Sequence, residues 1–442
     1  MHSGGVISAK EQRNNRYSVL PNKKEMTLRH YSSSKKNIVE ALDNIINLFP
    51  GACSLLLFQL LSLSSSKYKD NCKPRFLTMV VGPSGSYKSS VCEHIFGIFE
   101  EYFHRAPVNL KIATLASVHA LNQQFRDTVT LFDDCAPSKI DDENRNMMKL
   151  CETLSRAVGD DTGRTKMADS HNIISYAPLG LFAITGEYFP FQNTSDLGRV
   201  FLVEISKTSI KTSKLTKVQN QKMAYISAIV DYIYWISKNG EHYVEIITMH
   251  FYKYRKEFLD KYRKSHKRTA ENIAWLYAEM EMFIAFCKEF YNIDKKTGKS
   301  WKKQFEGSIK QSEKSQREIM EKDTDSDLFI RTITDCLNIG DLSLTEITVG
   351  AKGKQSATAS KNTIGYKHGK YIYLMPELAY NRTKQYLNKS NRNYALPEID
   401  LMKRLRDSGS LICSENGKLK SKLSLNGSRI GLYKFEKSVF GI

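Results

Sequence analysis

Phe76-Leu-Thr-Met-Val-Val-Gly-Pro-Ser-Gly-Ser-Tyr-Lys-Ser-Ser90 is the stretch on which the fold turns. Phe76 to Val81 reads as a buried strand, and it runs into Gly82 with no spacer. A helix is expected from Ser89 to Tyr102. Strand, glycine-bearing turn and helix N-terminus, in that order, make a phosphate cradle. Backbone N–H groups converge there and the helix dipole favours negative charge. Gly82 and Gly85 let the backbone wrap closely. Pro83, Ser84, Ser86 and Tyr87 complete the turn. Lys88 is placed to reach the β- and γ-phosphates, and Ser89, with Ser90 beside it, to ligate magnesium. The ligands this predicts are ATP and Mg2+. Tyr87 departs from the pattern GxxxxGK[ST], which has glycine there, so its side chain has to point away from the phosphates.

Four further pieces follow. Val129-Thr-Leu-Phe132 reads as a strand ending in Asp133-Asp134. Asp133 is expected to hold magnesium through water, and Asp134 to act as the general base. Leu179 to Ile184 is another strand, with Thr185 and Glu187 at its tip. Ser195-Asp-Leu-Gly-Arg199 precedes a short strand, Val200 to Ile205. An arginine there can cross a subunit boundary to a neighbour's γ-phosphate. Between the second and third strands lies Leu154-Ser-Arg-Ala-Val-Gly-Asp-Asp-Thr-Gly-Arg-Thr-Lys166. It fits a glycine-rich hairpin projecting into a central pore, with Arg164 and Lys166 gripping the phosphates of a single strand. Strands alternating with helical stretches imply α/β architecture, a parallel sheet with helices on both faces.

Outside this core, Ile38, Leu42, Ile45, Ile46 and Leu48 mark an amphipathic helix that Pro50-Gly51 breaks, and a second helix follows it. From about 217 to 292 the pattern is helical. Residues 293–325 are very polar and read as a solvated linker or a charged helix. The chain has 442 residues and a net charge of +19. Residues 351–442 alone carry 18 Lys or Arg against 6 Asp or Glu, which points to a separate basic module and a polyphosphate partner. No apolar run is long enough for a membrane span. Eight scattered cysteines with no CxxC pair argue against a zinc site or a disulfide framework and for reduced thiols in a cytoplasm.

The order of these motifs resembles the superfamily 3 and related AAA+ helicases. More closely, it is similar to the replicative helicases of staphylococcal cassette chromosomes and related mobile elements. The likeness rests on Gly-Ser-Tyr-Lys-Ser89, Val158-Gly-Asp-Asp-Thr-Gly-Arg164, Ile184-Thr-Gly-Glu187, Leu197-Gly-Arg199, Tyr371-Ile-Tyr-Leu-Met-Pro376 and Leu425-Asn-Gly-Ser-Arg429, and it spans roughly residues 36–442. It implies that Thr185 contacts the γ-phosphate or the attacking water, with Glu187 in reserve. It also implies a homohexamer moving on single-stranded or forked DNA, replication partner proteins, and a C-terminal winged-helix domain.

The resulting plan has a flexible tail over 1–35 and a P-loop AAA+ ATPase domain, a three-layer parallel sheet, over 36–215. A helical segment and charged linker follow over 216–325, and a basic winged-helix domain over 326–442. In the last of these, 398–409 fits a helix leading to Leu411-Ile412. Lys418 to Tyr433, with Asn426-Gly427 inside, fits a hairpin wing whose Lys420, Lys422 and Arg429 face phosphate. The family's larger members carry further N-terminal domains, so any activity housed there is expected to be absent or supplied by a partner. The expected activity is an ATP-driven DNA helicase or translocase in replication of a mobile element. Two rivals stand beside it: an ATPase that loads or remodels another protein on DNA, and a DNA-binding regulator with a decayed ATPase.

Overall fold

The computed structural model describes residues 28, 30–68, 72–99, 108–114, 117–118, 126–161, 164–167, 173–191, 194–261, 267–322, 325–350, 354–389, 394 and 396–442. Most of the expected flexible tail, 1–27 and 29, lies outside them. The chain divides into two units, Met1–Glu318 and Ile319–Ile442.

The first unit is a mixed α/β structure. Its strands are β1 Leu77–Val81, β2 Val108–Asn109, β3 Val129–Cys135, β4 Arg164–Met167, β5 Ile173–Tyr176, β6 Leu181–Gly186 and β7 Val200–Glu204. Five of them form one sheet in the order β2-β3-β6-β1-β7, and every pairing in it is parallel. β4 and β5 form a separate antiparallel hairpin. In β1 the residues facing both ways, Leu77 and Met79 as well as Thr78 and Val80, are buried. That is the mark of a strand covered on both faces, and it explains why the sequence there is apolar without alternation.

The helices that begin in this unit are α1 Lys35–Ile46, α2 Ala52–Ser62, α3 Lys88–Phe96, α4 Asp141–Gly159, α5 Thr194–Leu197, α6 Thr212–Asn220, α7 Lys222–Lys261, α8 Lys267–Tyr291 and α9 Lys295–Lys322. α1 begins where Ser34 caps it, accepting from the Asn37 N–H. It buries Ile38, Ala41, Leu42, Ile45 and Ile46. α7 bends at Gly240, whose φ of 52° no residue with a Cβ adopts comfortably.

α9 decides between the two readings of 293–325, a solvated linker or a charged helix, in favour of the helix. The polar run from 295 is a helix whose Trp301, Phe305 and Ile309 recur every four residues and are all buried. Trp301 Nε1 donates to Asp43 Oδ1 at 2.8 Å. Gln316 Nε2 donates to the carbonyls of Leu197 and Val200 at 2.9 and 2.7 Å. The abundance of Lys and Glu describes mainly the outer face of this helix, with Glu313 an exception that is buried. The Leu154–Lys166 expectation is corrected. Its first half, through Gly159, is the end of α4, and a hairpin begins only at Arg164.

The second unit holds α10 Asp325–Asn338, β8 Ser343–Glu346, β9 Thr348–Val349, β10 Gln355–Ser356, β11 Thr363–His368, β12 Tyr371–Leu374, α11 Pro376–Asn388, α12 Glu398–Asp407, β13 Leu411–Ile412, β14 Lys420–Leu425 and β15 Ser428–Glu436. Its core gathers Phe329, Ile333, Ile372, Leu401, Leu405 and Phe435. The helix at 398 and the hairpin around Asn426-Gly427 stand where the sequence placed them. Both turn residues have positive φ, 50° and 80°, as a two-residue hairpin turn requires.

Between α2, α7 and α8 sits a buried polar network. Tyr232 Oη donates to Glu279 Oε1 at 2.5 Å and Tyr243 Oη donates to Oε2 at 3.3 Å. Ser64 joins Tyr68 and Tyr243. Burial, opposed by the two tyrosine hydroxyls, pushes the Glu279 carboxyl up from 4.5 to about 7. The folded state therefore holds a proton there that the unfolded chain has already released. Stability present below pH 4.5 drains away as the pH rises through about 7, by on the order of 3 kcal/mol. Glu279→Gln should flatten this dependence and stand above the parent protein at pH 8. Urea unfolding of both proteins across pH 5 to 8 checks it, and parallel curves would disprove it.

Candidate functional site

The turn from β1 into α3 is the stretch expected to cradle phosphate, and its geometry follows from close backbone approach. The Gly82 N–H donates to the Gly186 carbonyl at 3.1 Å, and the Ile205 N–H to Val81 at 2.8 Å. A Cβ on Gly82 would fall well inside contact with the Ile205 carbonyl oxygen. Gly85 instead has open space around it but a φ of 75°. Tyr87 takes the left-handed conformation too, with φ 65° and ψ 18°. Glycine would accept this freely, whereas a residue with a Cβ loses roughly 1–2 kcal/mol. The Tyr87 side chain does point outward, where its hydroxyl lies 3.0 Å from Thr212 Oγ1 at the start of α6.

The side chains expected at the phosphate and metal positions converge. Ser89 Oγ donates to Asp133 Oδ1 at 2.8 Å, and Thr185 Oγ1 donates to the same oxygen. Thr185 is fully buried. Lys88 Nζ rests on the Pro83 carbonyl at 3.0 Å, inside the turn. Ser84 to Ser90, Asp133, Asp134, Thr185, Gly186 and Glu187 line one cavity of about 300 Å3. Asp133 and Asp134 stand within β3, not beyond its end, and Asp134 has a φ of 70°. This turn bends the chain so that the two neighbouring carboxylates need not point to opposite faces of the strand.

The donor set suits a magnesium nucleotide. The first four N–H groups of α3 have no intrahelical acceptor, and Ser86 Oγ is buried without a partner. A hydroxyl and a carboxylate in contact, Ser89 and Asp133, are hard oxygen ligands of the kind magnesium takes alongside phosphate and water. Behind the loop, burial and then the Asp133 charge push the Cys92 thiol well up, which leaves it a packing group.

Lys111 was not foreseen. Its ammonium lies 3.0 Å from Asp134 Oδ2. It follows the very short β2, in a stretch with no periodicity to mark it.

Arg199 lies elsewhere. Its side chain is nearly buried. Nη2 donates to both oxygens of Asp160 at 2.9 and 3.0 Å, and Nη1 to the Ser195 carbonyl at 2.7 Å. Gly159 permits this, because a Cβ there would collide with the Arg199 side chain. The sequence expectation was a guanidinium free to cross to another subunit; here it is held by its own chain. The backbone of Arg164 and Lys166 pairs with Tyr176 and Ile174 in the β4–β5 hairpin. In the second unit, Lys420, Lys422 and Arg429 are all exposed. The register sets Ser424 against Arg429 and Lys422 against Gly431, so the three cations share one face of the hairpin.

No family model matches the chain, and no curated protein does. Among solved structures, the chain is similar to "SCCmec type IV Cch - active helicase", with a TM-score of 0.61 and 13% identity over 94% of this chain and 73% of that one. At that identity the likeness speaks for the fold: this chain folds as that helicase does. The apo C-terminal region of NrS-1 also matches, at a TM-score of 0.30 and 12% identity, covering 75% of this chain and 76% of that one.

The two loop glycines should respond differently to alanine. Gly82→Ala must displace β7 from β1 and should cost about 3 kcal/mol. Gly85→Ala meets no atom and should cost only about 1 kcal/mol, from its positive φ. Chemical denaturation of the two variants measures both, and equal losses would contradict this account of the turn.

Proposed function

We propose that this chain is an ATP-dependent DNA helicase or translocase of the AAA+ and superfamily 3 type. The observation that carries the reading is the contact of Ser89 with Asp133, 2.8 Å between the first turn of α3 and the C-terminal part of β3. It joins the loop that would cradle phosphate to the acid that would hold its metal, in a fold shared with a known helicase.

In this reading Lys88 draws charge off the β- and γ-phosphates. Asp134 leaves Lys111 and takes a proton from water as the water oxygen attacks the γ-phosphorus. The bond to the bridging oxygen then breaks, releasing ADP and phosphate. Thr185 keeps Asp133 aligned. Ser89 and Asp133 would hold magnesium, which would neutralise charge on the phosphate oxygens. A second subunit completes the site with Arg199, which requires the Asp160 contact to open. Homohexamers acting on single-stranded and forked DNA fit this sharing of sites.

The basic second unit, read as a winged-helix domain, would set Lys420, Lys422 and Arg429 against backbone phosphate. Arg164 and Lys166 on the β4–β5 hairpin would track the single strand. Among the described residues no helix is long and apolar enough to cross a membrane. Replication of a mobile element in a cytoplasm, alongside other replication proteins, is the setting this reading favours.

Purified protein should hydrolyse ATP several-fold faster with single-stranded DNA, and Lys88→Ala should abolish that. A forked duplex should be separated, with binding that weakens steeply as salt rises. Hydrolysis indifferent to DNA, with the fork left intact, would assign the chain to the loading ATPases instead. No hydrolysis by the parent protein would make it a regulator.

A further inference from the structure

Among the described residues, six other than glycine have a positive φ. Five of them are Asp or Asn, whose short side chains tolerate the left-handed region. The sixth is Tyr87. Such strain persists only where the surroundings hold it in place. Backbone bonds do part of this. The Ser86 N–H donates to the Pro83 carbonyl at 3.2 Å, and the Val91 N–H donates to the Tyr87 carbonyl at 3.0 Å, which opens the first turn of α3. The orientation of Tyr87 therefore sets where the N–H groups of Lys88, Ser89 and Ser90 point. Tyr87 occupies the N-cap position of α3 without turning a side-chain oxygen onto those groups. Serine, threonine or aspartate there would do so and would fill the place of a phosphate.

The phenol adds a tie that glycine lacks. Its hydroxyl lies 3.0 Å from Oγ1 of Thr212, the first residue of α6. α6 is itself fastened to α1 and to the residue that follows it. Leu215 and Val218 are buried. Lys217 pairs with Glu40 at 3.0 Å, and Asn44 Nδ2 donates to Gln221 Oε1 at 2.7 Å. Lys214 Nζ donates to the Asn47 carbonyl at 2.9 Å. Tyr87 thus moors the loop to an anchored helix outside it. Beside this fixed point stands a residue that has to move. Lys88 Nζ rests on the Pro83 carbonyl, the same oxygen that closes the turn, and it has to leave that oxygen to reach a phosphate.

We propose that Tyr87 is a positioning residue for the phosphate loop. Bonded through its hydroxyl to Thr212, it keeps the loop in its nucleotide-accepting shape while Lys88 changes partner. It touches none of the reacting atoms. This rests on the reading of the cradle as an ATP site, and it gives a reason for a bulky residue in a left-handed conformation where the usual pattern has glycine.

A loop that already holds its binding shape binds more tightly, in proportion to the time it spends in that shape. One bond between hydroxyls should change that population about five-fold. Fluorescent-ATP titration and steady-state ATP hydrolysis of the full-length chain test this, with a melting curve for each variant. Tyr87→Phe and Thr212→Val should each weaken ATP affinity and raise KM about five-fold. Their kcat should stay within about two-fold of the parent, because the chemistry at bound nucleotide does not use either hydroxyl. The two changes together should again cost about five-fold, not the roughly 25-fold of independent losses. Tyr87→Gly restores the usual glycine and relaxes the backbone, yet it too should bind ATP more weakly than the parent. If Thr212→Val lowers the melting temperature, Thr212→Ala carries the same readouts. Parent-like affinity in Tyr87→Phe, tighter binding in Tyr87→Gly, or additive losses in the pair overturns the proposal while leaving the ATP site standing. A parent protein that binds no ATP overturns both.

Discussion

Parallel pairing of β1 between β6 and β7 is the constraint on which the rest of the first unit depends. Strands that run the same way bring their C-terminal ends to one edge of the sheet and their N-terminal ends to the other. The cradle at Gly82, the acids of β3 and Thr185 of β6 all fall on the first edge. Arg199 falls on the second. The backbone bonds from Gly82 to Gly186 and from Ile205 to Val81 lock this arrangement at the point where the chain leaves β1. The same bonds leave no room for a side chain at position 82. The grouping of these residues and the backbone packing are therefore one feature, and so is the separation between the cradle and Arg199.

The cradle is also tied to the helices around it. α3 presents its N-terminus to the phosphate position. At its other end the Lys222 ammonium donates to the His94 carbonyl, a favourable place for a cation at a helix C-terminus. Burial pulls that ammonium down from 10.5 to about 7. Tyr87 adds a contact to α6 from the loop itself. Movement of the loop thus has two routes into the helical part of the unit, one at each end of a nine-residue helix. Tyr87 accepts a strained backbone at a place where glycine would relax it, and its hydroxyl contact is what glycine could not supply.

Charge in this protein is organised by pairing more than by composition. Asp134 carries Lys111, Asp160 carries two arginines, and Glu281 accepts from Lys302 at 2.7 Å. A carboxylate held by a cation in the lone chain is available for other work only after that cation has a better partner. Both proposed steps, the release of Asp134 and the opening of Asp160, have this form. In the second unit the cations of the hairpin are exposed and lie on one face.

The sequence by itself determined the strand-loop-helix of the cradle, the alternation that makes an α/β sheet, the apolar strands and the Asn426-Gly427 hairpin. Each of these depends on neighbours within a few residues: buried strands are apolar throughout, turns need glycine or asparagine, and helices repeat every three to four positions. What only the tertiary structure decided depends on residues far apart in the chain. Residues 293–325 read as a solvated linker or a charged helix because their mean polarity hides a buried Trp301-Phe305-Ile309 stripe, which matters only once a partner surface is present. Lys111 carries no local mark and is found only by its contact with Asp134. Arg199 was singled out from its place before a strand. Its confinement by Asp160, 39 residues earlier, and its neighbour Arg268, still further along, arise from folding three distant segments onto one carboxylate. Local chemistry is written in the order of residues, and charge partnership is settled by which distant segments the sheet and helices bring together.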